Sequence, residues 1–273
     1  MQSKKGYANI DNAKIYYEAA GGGTPFVMIH AGVADSRQWN NEFAHFANDH
    51  QVVRYDMRGY GKSEPVEGEY KPIGDLISLL DHLGIQEPMV LMGCSMGGGL
   101  ALDFALEHPA RVKALTMVAS GPSGLDLDTA EPEKFAQAVK AFEAGDLDLT
   151  AELETQIWFD GIGRTPDQVD PAMRALLYDM DRLALSHEVK ELGKRLHNSE
   201  TPAFDRLGEL NLPVLIITGE HDIEYMHAAA EYMEEHIREA QTVVMEDAAH
   251  LPNMDHPQRF QAIVREFLNA QPA

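Results

Sequence analysis

A chain of 273 residues with 44% apolar content is long enough to bury one substantial core. Its formal charge of −22, from 44 Asp and Glu against 22 Lys and Arg, repels nucleic acid and anionic headgroups, so polyanionic partners are excluded. No run of 18 apolar residues occurs and residues 1–7 lack a hydrophobic signal region, so the expectation is a soluble, cytoplasmic protein with no membrane partner. Cys94 is the single cysteine, which leaves no intrachain disulfide, thiol pair or cysteine-based metal site.

In chain order, residues 7–17 alternate around Asp11-Asn12 and read as an opening hairpin, because Asp and Asn tolerate the positive φ of such turns. A glycine loop at 21–23 follows. Apolar runs at 26–30, 51–55, 88–92, 113–119, 213–218 and 241–245 then alternate with helical patterns at about 70–83, 96–107, 225–237 and 257–268. Such alternation predicts an α/β class domain: a mostly parallel, doubly wound sheet covered by helices on both faces. Between 121 and about 210 the rhythm breaks, with no convincing strand but amphipathic patterns at 132–142, 147–159 and 171–183. The predicted organisation is a core of residues 1–121 and 211–273, with 122–210 inserted after the sixth sheet strand as a helical cap over the strand ends, where open α/β sheets bind ligands.

The segment Gly93-Cys94-Ser95-Met96-Gly97 runs from an apolar strand straight into a helix. A serine hydroxyl becomes a useful nucleophile when it projects from such a tight turn, within reach of a base and of backbone amides that face a developing oxyanion. A carboxylate and a base follow in the order this chemistry uses. Asp222 stands just past the strand that ends at Gly219, and His250 lies in the exit loop of the run at 241–245. In this triad His250 takes the proton of Ser95, while Asp222 holds the imidazole in the competent tautomer. Asp126, after the preceding strand, is the competing acid; Ser120-Gly121-Pro122-Ser123 places none at that strand mouth.

Other motifs carry less. Gly61-Lys62-Ser63 matches the tail of a phosphate-binding loop, but Asp56 occupies the position of its leading glycine and Pro65 blocks the required helix. The pairs His221 with Asp222 and Asp255 with His256 lack the helical His spacing or cysteine cluster of a metal site, so neither metal nor cofactor is expected.

Phe26-Val-Met-Ile-His30-Ala31-Gly32 resembles the His-Gly-x turn of the α/β-hydrolase family, and Asp56-Met57-Arg58-Gly59-Tyr60-Gly61-Lys62-Ser63 is similar to that family's Asp-x-Arg-Gly-x-Gly-x-Ser loop. With the serine turn, Asp222 and His250, the resemblance spans nearly the whole chain and is specific to the serine-nucleophile, carboxylesterase-like branch. It implies an α/β-hydrolase fold with a helical cap, an oxyanion hole made by the backbone N–H groups of Gly32 and Met96, and His30 as a support of that turn. Ala31 departs from the family pattern, which has glycine there.

The activity implied is hydrolysis of small uncharged carboxylic esters through an acyl-enzyme, with a small-molecule ester as partner and assembly as a homo-oligomer left open. Carbon–carbon bond or enol-lactone hydrolysis on the same fold is the alternative, and a ligand-binding sensor that retains the triad is the alternative of another class. Trp39, Trp158 and Phe159, with Met173 and Met180, are candidate walls of the substrate pocket. Arg164, Arg174 and Arg182 are candidate carboxylate contacts.

Overall fold

The computed structural model describes residues 3–271. β1 (Ser3–Ile10) and β2 (Ala13–Gly21) form the opening hairpin, whose turn places Asp11 at φ 50°. β3 (Pro25–Ile29), α1 (Asn40–Phe46) and β4 (Gln51–Tyr55) follow, then a two-residue β5 (Glu69–Tyr70), α2 (Pro72–Leu83), β6 (Met89–Cys94), α3 (Met96–Glu107) and β7 (Val112–Val118). A helical insertion holds α4 (Glu133–Glu143), α5 (Leu147–Thr155), α6 (Pro171–Glu188) and the two-residue β8 (Lys194–Arg195). β9 (Val214–Gly219), α7 (Glu224–His236), β10 (Ala240–Met245), α8 (Pro252–Asp255) and α9 (Pro257–Asn269) complete the chain. No helix is long and apolar enough to cross a membrane among the described residues.

Eight strands form one sheet in the order β1-β2-β4-β3-β6-β7-β9-β10. The pairings of β2 with β1 and with β4 are antiparallel, and the others are parallel. Parallel strands need long crossovers, and here helices cover both sheet faces, which is why these strands read as unbroken apolar runs. Their alternation still sorts side chains into two cores. Phe26 and Met28 of β3 pack in one with Phe43, Phe46 and Phe260, while Val27 and Ile29 pack in the other with Leu76, Leu79 and Leu100. The same division runs through β9, where Leu215 and Ile217 face the first core and Val214 and Ile216 the second.

Two features depart from the sequence expectations. The short α1 was absent from the predicted helices, because seven residues give fewer than two turns of periodicity. A strand does occur in the insertion: β8 pairs in parallel with β5, Glu69 opposite Lys194 and Tyr70 opposite Arg195. Two residues carry no alternation to read, yet this pair pins the end of the insertion to the loop ahead of α2.

The insertion also buries acid. Desolvation, reinforced by the neighbouring Glu154 and Glu188, raises the Asp181 carboxyl far above the ordinary carboxylate range, and desolvation raises Glu154 in the same direction. A carboxyl raised by folding contributes stability below its unfolded pKa and loses it as pH climbs towards the folded value. Asp181→Asn is therefore expected to raise unfolding stability at pH 8 by at least about 1 kcal/mol, with the gain vanishing near pH 4; urea denaturation of both proteins at the two pH values measures it.

Candidate active site

Ser95 sits between β6 and α3 at φ 51° and ψ −116°, a sparsely populated conformation for a residue with a side chain. The lack of a Cβ at two flanking residues lets α3 close on β6 and on the end of β3. A methyl group on Gly93 would fall 2.1 Å from Gly97 O, and one on Gly97 would fall 2.5 Å from Ile29 O. Hydrogen bonds over-determine the strained residue: its N–H donates to Val118 O at 2.8 Å and its carbonyl accepts from Ser120 Oγ at 2.8 Å. Among the described residues no side chain hydrogen-bonds Ser95 Oγ, and Ser95 borders a cleft of about 970 Å³.

His250 and Asp222 meet across β9 and β10. The imidazole Nδ1 lies 3.0 Å from both carboxylate oxygens of Asp222, and the two residues are buried. Asp222 Oδ1 also accepts from Ile223 N at 2.8 Å. Because an ionised carboxylate only accepts, the proton must reside on Nδ1, leaving Nε2 with a free lone pair. Asp126 is exposed in the loop after β7, so the structure pairs His250 with the later of the two acids. Neighbouring Cys94 is inert by contrast: burial pushes its thiol up to about 12, and its sulfur rests 3.7 Å from His250 O.

Gly32 and Met96 lie side by side, since a Cβ built on Gly32 would be 3.7 Å from Met96 Cβ. Met96 opens α3, where a helix leaves its first N–H groups unpaired, and among the described residues neither Gly32 N nor Met96 N has an acceptor. Two adjacent free donors form a receptor for developing negative charge. His30 supports this turn from behind: its Nδ1–H donates to Ala31 O at 2.7 Å, and its Nε2 accepts from Met57 N at 2.9 Å. Burial lowers the pKa of His30, in keeping with a neutral structural ring whose two nitrogens are both engaged.

The pocket expectations need correction. Trp39 is fully buried against Phe260, and Phe159 is likewise a core side chain, so neither borders the cleft that holds Ser95. Trp158 is also outside that lining, but it lies over His250 with ring centroids 4.3 Å apart. Phe159 and Trp158 both lie in a π-helical turn at Gln156–Asp160, in which Phe159 is buried and Trp158 is half-buried. The candidate arginines are also committed elsewhere. Arg164 binds Asp255 and three carbonyls, Arg174 binds Asp160 and Glu152, and Arg182 binds Asp148.

The cleft instead takes Arg195, Lys71 and His197, together with Asp103 and Ser120. Sequence reasoning missed Arg195 because its only local sign is β8. Its guanidinium contacts Met96 Sδ, and it has no carboxylate partner among the described residues. Glu220, His221 and Asp247 bring ligand atoms within 4.8 Å of one another, but Glu220 is already engaged by Asp247 N and His221 Nδ1 by Ile162 O.

The profile of a family described as the alpha/beta hydrolase fold matches residues 24–257. The chain is 26% identical over 264 residues to a pimeloyl-(acyl-carrier protein) methyl ester esterase of Nitrosospira multiformis, covering 93% of this chain and 97% of that protein. It is 28% identical over 238 residues to the 3-oxoadipate enol-lactonase 1 of Acinetobacter baylyi, covering 86% and 85%. Among solved structures, an esterase from Rhodococcus sp. superposes across 100% of both chains with a TM-score of 0.80 at 23% identity, a likeness of fold.

The His250–Asp222 contact yields a direct test. Asp222→Asn is expected to preserve the fold by circular dichroism yet cut kcat by about 10⁴-fold, because an amide can stabilise the wrong imidazole tautomer. Asp126→Asn should leave kcat within about twofold, and steady-state hydrolysis of a chromogenic ester separates the two variants.

Proposed function

The chain belongs to the α/β-hydrolase family, and from that premise we propose that it is a serine hydrolase that cleaves small carboxylic esters through an acyl-enzyme on Ser95. The observation that carries this reading is the pinning of His250 Nδ1 by Asp222, which leaves Nε2 as the basic nitrogen, on a loop that meets the strand before Ser95 where Cys94 Sγ lies 3.7 Å from His250 O. The esterase and enol-lactonase relatives support the same chemistry.

As Ser95 Oγ attacks the ester carbonyl, His250 Nε2 takes its proton and the imidazolium that forms is stabilised by Asp222. The carbonyl oxygen becomes an oxyanion held by the N–H groups of Gly32 and Met96. Collapse of the tetrahedral species breaks the bond to the alcohol, which leaves with the proton from His250. Water then repeats the sequence on the acyl-enzyme and releases the acid. Residues 122–210 act as the cap, with Trp158 covering the imidazole and excluding water from one side of it.

Small uncharged esters suit the field of the whole molecule, since a charge of −22 lowers the local concentration of anions. One observation favours the enol-lactone reading as an alternative. Arg195 and Lys71 border the cleft, and Arg195, which has no carboxylate partner among the described residues, offers the guanidinium that a carboxylate-bearing lactone would engage. A lactone is a cyclic ester, so the chemistry at Ser95 is unchanged and only the substrate differs.

A phosphonate or sulfonyl fluoride should add one label per chain, at Ser95 by mass spectrometry. Ser95→Ala should lose the label and about 10⁴- to 10⁶-fold in rate. Undiminished hydrolysis by the alanine variant would remove the mechanism, and ester binding without an acylation burst would favour a sensor.

Salt separates the substrate readings. Raising ionic strength from about 0.01 M to 0.5 M shortens the Debye length from about 30 Å to under 5 Å. The expected result is a rise in kcat/KM for anionic esters with little change for neutral ones. A fall for anionic esters that Arg195→Gln abolishes would instead identify a carboxylate-bearing lactone as the better substrate.

A further inference from the structure

A buried seam of amides joins the loop that carries Gly32 to the loop that carries His250. Gln38 Oε1 accepts from Ala31 N at 2.9 Å, and Ala31 is the residue immediately before Gly32. Gln38 Nε2 donates to Asn253 Oδ1 at 3.3 Å, three residues beyond His250. Asn253 Nδ2 returns to Gln38 O at 2.9 Å and reaches Glu42 Oε2 at 3.2 Å, while Gln261 Nε2 donates to Glu42 Oε1 at 3.1 Å. Gln38, Glu42 and Asn253 are all buried.

The seam admits one orientation of each amide. Turning Gln38 over would set its NH₂ against the N–H of Ala31, and turning Asn253 over would set its oxygen against a carbonyl and a carboxylate. Buried polar networks of this kind rigidify when fully satisfied, and any unpaired member is costly. Resting on the serine-hydrolase reading, we propose that Gln38 and Asn253 are positioning residues that lock the oxyanion turn to the histidine loop, fixing the Gly32 N–H relative to the His250 imidazole. Neither side chain touches the reacting atoms. Their effect is on the transition state, because the oxyanion donors and the base must be in register at the same moment, and small misplacements of such groups cost large factors in rate.

Gln38→Leu and Asn253→Leu remove the seam while keeping approximate shape. On p-nitrophenyl acetate, kcat should fall about 10- to 100-fold while KM stays within about twofold, and phosphonate labelling of Ser95 should slow in parallel. Met233→Ala, a core truncation on the other sheet face, should lower thermal stability without that fall in kcat. If a leucine variant does not fold, Asn253→Asp carries the same expectation, since it is isosteric but lacks the amide hydrogens that reach Gln38 O and Glu42. Variants that lose thermal stability but keep kcat within about twofold overturn the proposal and leave the seam a structural one. Failure of the underlying reading shows separately, as turnover retained by Ser95→Ala.

Discussion

Everything at the candidate site depends on how closely α3 approaches β6 on one side and the end of β3 on the other. A single methyl group at Gly93 or Gly97 would meet backbone at 2.1 to 2.5 Å, and neither contact can be relieved by a flexible side chain. The chain therefore turns within one residue, and Ser95 takes a conformation costing on the order of 1–3 kcal/mol. The cost is tolerable because the surroundings hold the residue from several sides. β6 lies between β3 and β7 in the sheet, the Ser95 amide continues towards β7, and Ser120 secures its carbonyl. The same geometry places Met96 N–H at the start of α3 with no acceptor among the described residues, which is the pair of features, an exposed hydroxyl and a free donor, that the proposed acyl-transfer reading uses.

The loops around that turn are fixed by polar contacts rather than by packing alone. Asp56 accepts from Ser36 N and Lys62 N, which holds the chain beyond the Ala31-Gly32 turn against the loop after β4. Arg58 binds Asp75 through two short bonds, and the pair is almost wholly buried. Buried ion pairs add little net stability compared with apolar packing, whereas removing one partner costs about 3–5 kcal/mol. In the insertion, Arg164 joins the carbonyls of Phe159 and Asp160 in the π-helical turn to Asp255 beside the histidine loop.

Net charge and local charge also diverge. The molecule as a whole carries a charge of −22, yet its arginines are concentrated in pairs with carboxylates, and the cleft sets Arg195 and Lys71 among Asp103 and Glu200, so both signs border it. A property summed over the chain says how the protein meets a distant ion. It does not say which charge stands beside a bound one.

Much of this architecture was legible in the order of residues. Strand and helix positions in the core follow from local periodicity, as do the serine turn, Asp222 and His250, because each of these is a short motif at the end of an apolar run. Gly93 was readable for the same reason, since its steric need lies against Gly97 and Gly98, whereas the need at Gly97 is set by the carbonyls of Ile29 and His30 on a distant strand. What tertiary structure decided is everything that depends on distant segments meeting. The contact that joins His250 to Asp222, the position of Trp158 over that ring, the withdrawal of Trp39 and Phe159 into the core, and the arrival of Arg195 at the cleft through a two-residue strand all arise from contacts between residues far apart in the chain. Local patterns record which face of an element is apolar. They carry no record of the distance between side chains on different elements, and it is that distance which sets hydrogen bonds, ion pairs and the walls of a pocket.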